Sequence, residues 1–109
     1  MIFFSIFSII RNNDFDTIAT GTGAIGSHTY IQGKRHENIR IENNRLYNVD
    51  NFVYLLGTNN LKVLNNYGEQ VFNFMHFGNA NHNQQDNTEV SGNKIHFKQS
   101  YKVKPPEPN

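Results

Sequence analysis

The segment His76-Phe77-Gly78-Asn79-Ala80-Asn81-His82-Asn83-Gln84-Gln85-Asp86 holds two imidazoles and a carboxylate in one polar stretch. Imidazoles titrate near neutrality, so His76 and His82 with Asp86 could supply a base, a proton donor or a loose metal site. The spacing matches no specific metal motif, and a plain polar surface loop accounts for it as well. Lys34-Arg35-His36 is a basic turn. Lys34 and Arg35 suit an acidic sugar, whose carboxylate a cation neutralises, lowering the pKa of the adjacent carbon acid; a solvated turn is the plainer reading. Tyr30 and Tyr54 each stand three residues before a glycine, Gly33 and Gly57, and Met75 holds that place before Gly78. If both tyrosines face outward, stacked rings about 4.8 Å apart make a platform for sugar rings. Core or inter-subunit packing is the rival use for them.

Other chemistries are absent or weak. The chain has 109 residues, no cysteine and a formal charge of +1. Disulfides, thiolate metal sites and cysteine nucleophiles are excluded, and the charge offers nothing to nucleic acid or an anionic membrane. No apolar run is long enough to span a bilayer as a helix. The stretch from Gly21 to Gly26 has the look of a phosphate-binding glycine loop, but no helix is predicted after it. Phe52 to Leu56 and Val71 to Phe77 contain no carboxylate, so no acid pair for glycoside hydrolysis is visible there. Asp50 and Glu69 flank these strands singly and read as solvated turn residues.

The elements that must position these groups are visible as a repeat. Asn38-Ile39-Arg40-Ile41-Glu42-Asn43-Asn44 returns as Asn60-Leu61-Lys62-Val63-Leu64-Asn65-Asn66, with a weaker copy at Asn87-Thr88-Glu89-Val90-Ser91-Gly92-Asn93. Ile39 and Ile41, Leu61 and Val63, and Thr88 and Val90 fall on one face of a strand, and an Asn pair suited to a sharp bend closes each copy. An upstream echo is Ile10-Arg11-Asn12-Asn13-Asp14-Phe15, beside Ile41-Glu42-Asn43-Asn44-Arg45-Leu46. Apolar strands ending in Gly33, Gly57 and Gly78 precede the copies, and a third short strand follows each Asn pair, around Leu46-Tyr47 and Ile95-His96-Phe97. Three short strands in a repeat as short as Asn38 to Asn60 predict an all-β solenoid. A leucine-rich repeat has an overlapping period, but His36, Thr58 and Gln85 stand where its leucine belongs.

On the Asn-Ile-Arg-Ile-Glu-Asn-Asn and Asn-Leu-Lys-Val-Leu-Asn-Asn segments, the chain resembles the right-handed parallel β-helix, or pectate-lyase-like, superfamily over roughly residues 9–100. The resemblance implies a short right-handed parallel β-helix of about four coils with an internal asparagine ladder. Asn13, Asn44, Asn66 and Asn93 are the favoured rungs, because Gly92 interrupts the alternative row of Asn12, Asn43 and Asn65. Residues 1–10 would form an apolar cap or first strand, 11–101 the β-helix, and 102–109 a proline-rich tail.

The resemblance also implies an extracellular or cell- or virion-surface protein that interacts with polysaccharide: a polysaccharide lyase or depolymerase, or a fragment of one. In that reading His76, His82 and Asp86 are the catalytic candidates, and Lys34, Arg35, Tyr30 and Tyr54 bind substrate. Calcium enters only through the resemblance. The alternative is a non-enzymatic spike, adhesin or filament segment that associates through its coil ends as a homo-oligomer or with neighbouring coils.

Overall fold

Alternating β-branched and polar residues favour extended chain with one buried face. The computed structural model describes residues 7–20, 22–26, 35–76 and 85–99, which fold accordingly into strands. These are β1 (Ser8–Arg11), β2 (Asp14–Ile18), β3 (Ile25–Gly26), β4 (His36–Glu42), β5 (Arg45–Tyr54), β6 (Thr58–Leu64), β7 (Tyr67–His76), β8 (Gln85–Asp86), β9 (Glu89–Ser91) and β10 (Lys94–Phe97). No helix occurs among the described residues. The helix of a leucine-rich repeat therefore has no counterpart at Phe52–Tyr54, which lie in β5.

Among the described residues all the pairings are parallel, and they form two five-stranded sheets. The first runs β1-β4-β6-β8, with β9 also on β6; the second runs β10-β7-β5-β2, with β3 also on β5. The two repeated segments pair in register, Ile39 on Leu61 and Ile41 on Val63, and the weaker copy follows with Val90 on Val63. The third strand after each Asn pair does not stop where the sequence suggests. It runs on through the apolar segment, so that β5 and β7 each span ten residues. Asn48 and Gln70, with φ near 60°, let these long strands bend without breaking.

One apolar cluster draws on both sheets. Ile39, Ile41, Leu61 and Val63 come from the first; Leu46, Val49, Phe52, Val53 and Val71 come from the second. Phe52 is fully buried, edge-on to Phe15 at 5.0 Å and stacked on Phe74 at 5.6 Å. Removing a ring of that size from water contributes about 2–3 kcal/mol.

The corners explain the asparagines. Asn12, Asn43 and Asn65 have φ of 59°, 56° and 56°, and Gly92 occupies the same place with φ 70°. Left-handed backbone is costly for most residues, and asparagine and glycine tolerate it best. The next residue of each pair turns its amide inward. Asn13 Nδ2 donates to Asn44 Oδ1 at 3.3 Å, Asn44 Nδ2 to Asn66 Oδ1 at 3.0 Å, and Asn66 Nδ2 to Asn93 Oδ1 at 2.9 Å. The second amide hydrogens of Asn44, Asn66 and Asn93 go to the carbonyls of Ile10, Ile41 and Val63. The backbone N–H groups of Asn13, Asn44 and Asn66 donate to the same Oδ1 row. Burying an amide without partners is expensive, and here its hydrogen-bonding groups are used.

Candidate functional site

The described members of the predicted site separate into two pairs. Arg35 precedes β4 and Asp86 ends β8, and their side chains meet at 2.5 Å as an ion pair. A guanidinium and a carboxylate in direct contact satisfy each other's charge, so both are engaged within the protein. Tyr54 and His76 end β5 and β7 and pair in register. Their rings stack at 5.0 Å with planes 7° apart. The glycine spacing suggests Met75 as the partner of Tyr54; Met75 instead pairs with Val53, one residue out of that phase. His82, Lys34 and Tyr30 lie outside the described residues. So does most of the inserted loop. Its extra length shows in the sequence separation of successive rungs, 27 from Asn66 to Asn93 against 22 from Asn44 to Asn66.

Asp50 departs from expectation. It is buried rather than solvated, and the ammonium of Lys98 reaches it at 2.6 Å while also donating to Asn48 Oδ1 at 3.2 Å. Both charged side chains are over nine-tenths buried. A buried carboxylate needs such a partner. His36 is partly buried, and desolvation pushes its imidazole below the usual histidine range. Among the described residues no group of three or more His, Asp or Glu side chains could hold a metal ion.

A more promising surface lies on the second sheet. The residue after each rung asparagine, and the one two places further on, point away from the core. Register therefore aligns Asp14, Arg45, Tyr67 and Lys94 in one row and Asp16, Tyr47, Glu69 and His96 in the next. Between them runs the inward row of Phe15, Leu46, Gly68 and Ile95. Gly68 is needed there for space: a Cβ would stand 2.9 Å from Val71 Cγ2 and 3.2 Å from Ile95 Cδ1.

The two outward rows bound an open groove of about 330 Å³, lined by Asp14, Asp16, Arg45, Tyr47, Tyr67 and Glu69, with Phe15 and Leu46 at its floor. Tyr47 is 52% exposed and Tyr67 40%. Glu69 thus stands on an open strand face rather than in a turn. Tyr67 donates its hydroxyl to Glu69 Oε1 at 2.9 Å, and this bond raises the phenol pKa above its ordinary value, with smaller desolvation and charge effects. The His96 ring lies edge-on to Tyr67 at 5.9 Å. None of these groove residues is among the expected site residues. Their signal was nonetheless in the chain: Asp-x-Asp, Arg-x-Tyr, Tyr-x-Glu and Lys-x-His each follow a rung asparagine directly.

Comparison with protein-family models, with curated proteins and with solved structures finds no match to this chain.

Proposed function

We propose that the chain is a short parallel β-helix that binds a neutral glycan along the face formed by Asp14, Asp16, Arg45, Tyr47, Tyr67 and Glu69. The observation that carries this reading is the alternation of exposed tyrosines with charged hydrogen-bonding groups in an open groove. Sugar rings offer an apolar face to an aromatic ring and a rim of hydroxyls to carboxylates and guanidinium groups. Parallel strands keep equivalent side chains about 4.8 Å apart, so a linear chain meets a repeating surface. Three carboxylates against one guanidinium make the groove acidic, which disfavours an acidic glycan. The ion pair between Arg35 and Asp86 supports the same preference, because that cation already has a carboxylate.

In this reading the protein acts outside the cell or at a cell or virion surface, where such polymers are met. Lyase chemistry through His76, His82 and Asp86 is not part of this reading, because elimination needs the carbon acid of an acidic sugar, Asp86 is held by Arg35 and His76 stacks on Tyr54. Binding is tested by calorimetric titration against neutral and acidic oligosaccharides. Tyr67→Ala and Tyr47→Ala should each weaken binding of a neutral oligosaccharide by roughly tenfold, and Tyr54→Ala should leave it unchanged. Absence of binding across the panel, or sensitivity to Tyr54→Ala alone, overturns the groove assignment.

A further inference from the structure

We infer that this protein self-associates head to tail, the β9–β10 end of one copy seating on the β1–β2 end of the next. Four observations at the two ends agree.

The asparagine row has a direction. Each rung donates its backbone N–H and one Nδ2 hydrogen to the Oδ1 of the next, from Asn13 to Asn44 to Asn66 to Asn93. Among the described residues, Asn13 thus stands at the head of the row with Oδ1 to offer, and Asn93 at the foot with donors to offer. A foot placed on a head continues the row.

The apolar columns also continue. Val90 follows Ile41 and Val63, which are wholly buried, yet Val90 is 49% exposed. Phe97 is in register with the buried Val71 and is 63% exposed. At the other end the same columns begin with Ile10 and Ile18, and Phe15 lies between them above Leu46. In register, Ile10 of the next copy would cover Val90, Phe15 would cover Ile95, and Ile18 would cover Phe97.

The charges match. In the outward rows Lys94 would lie opposite Asp14 of the next copy, and His96 opposite Asp16. The first pairs an ammonium with a carboxylate, and the second an imidazole with a carboxylate. Complementary charge of this kind sets register and rejects wrong partners.

The backbone geometry permits it as well. Both end strands of each sheet run parallel to their neighbours, so the added strands keep the existing direction and edge groups find a ladder. Because the two ends are different surfaces, the contact is heterologous and grows beyond two copies rather than closing as a symmetric dimer.

The test is sedimentation velocity of the full chain, without glycan, over a wide concentration range, so that failure here is separable from failure of the groove assignment. Wild type should form a concentration-dependent series larger than dimers. Lys94→Glu sets two carboxylates opposite each other and Asp14→Lys two ammonium groups; each alone should raise the midpoint concentration by roughly tenfold. Both positions are solvent-facing, so the fold should survive. Mixing the two variants opposes the introduced carboxylate to the introduced ammonium at one junction and leaves the wild-type pair at the other, so assembly should return. A strictly monomeric wild type, assembly that stops at a dimer, or single variants whose mixing restores nothing would each overturn the inference.

Discussion

Asn44 and Asn66, 22 residues apart, are joined through a 3.0 Å amide hydrogen bond, and both side chains are 1% exposed. The bond is one rung in a row whose members satisfy both neighbours, so damage to an inner rung strands groups on either side. Asn66→Leu leaves Asn44 without its Oδ1 acceptor and removes the donor to Ile41 carbonyl. We expect a loss of about 2–4 kcal/mol in urea unfolding, because several buried polar groups lose partners together. Asn13→Leu, at the exposed head of the row, should cost less than half as much.

The corner preceding each rung predicts a different pattern. Asn43 has φ 56° and its backbone N–H bonds the Leu64 carbonyl. Asn43→Gly should be nearly neutral, whereas Asn43→Val should cost about 1–2 kcal/mol, since a β-branched residue resists the left-handed region. Chemical denaturation of the two variants side by side separates backbone conformation from side-chain bonding.

Asp50 and Lys98 offer a double-mutant test. Lys98→Met removes the buried ammonium that contacts Asp50 and should destabilise by about 3 kcal/mol. Adding Asp50→Leu to Lys98→Met should recover part of that loss, because the cost lies chiefly in the carboxylate left behind. Equal stability of the single and double variants would remove the assignment of Asp50 as a buried charge held by Lys98.

His36 sets a pH dependence. Its folded-state pKa lies below the unfolded value of 6.5 because burial disfavours the imidazolium. The unfolded chain therefore binds the proton more readily, so His36's contribution is complete above about pH 6.5 and is lost as pH falls through the lower folded value. Thermal melts across that window should show stability declining towards acid, and His36→Gln should flatten that decline.

Strand positions were legible wherever alternation and a repeated bend coincided. The Ile39-x-Ile41 and Leu61-x-Val63 faces follow from spacing, because a side chain's face in a strand is set by parity. The row of Asn13, Asn44, Asn66 and Asn93 is what the β-helix resemblance implies, with Gly92 deciding between it and the neighbouring row. The joining of Leu46-Tyr47 to Phe52-Val53 in one strand was not legible. It depends on Asn48 adopting positive φ inside the strand, and nothing in its neighbours distinguishes it from a turn residue. The burial of Asp50 was hidden for a similar reason: its partner Lys98 is 48 residues away.

The candidate site was less legible than the fold. Clustered histidines and glycine-ended strands point to Arg35, Tyr54, His76 and Asp86, which the fold sorts into two separate contacts. The groove instead gathers two or three residues from each of three strands. Such a site becomes visible only when registers are known, because Asp14, Arg45 and Tyr67 are neighbours in space and distant in sequence.

The pairing of β4 with β6 and of β5 with β7 keeps an unvarying sequence offset of 22, which recurs in the amide bonds of Asn38 with Asn60, Asn44 with Asn66 and Asn51 with Asn73. A tandem duplication of one such repeat would keep the backbone register and add one new junction, that of the repeat on its own copy. The gene could thus lengthen or shorten by whole repeats while the flanking packing stayed as it is. The two sheets would then widen in steps of one strand spacing.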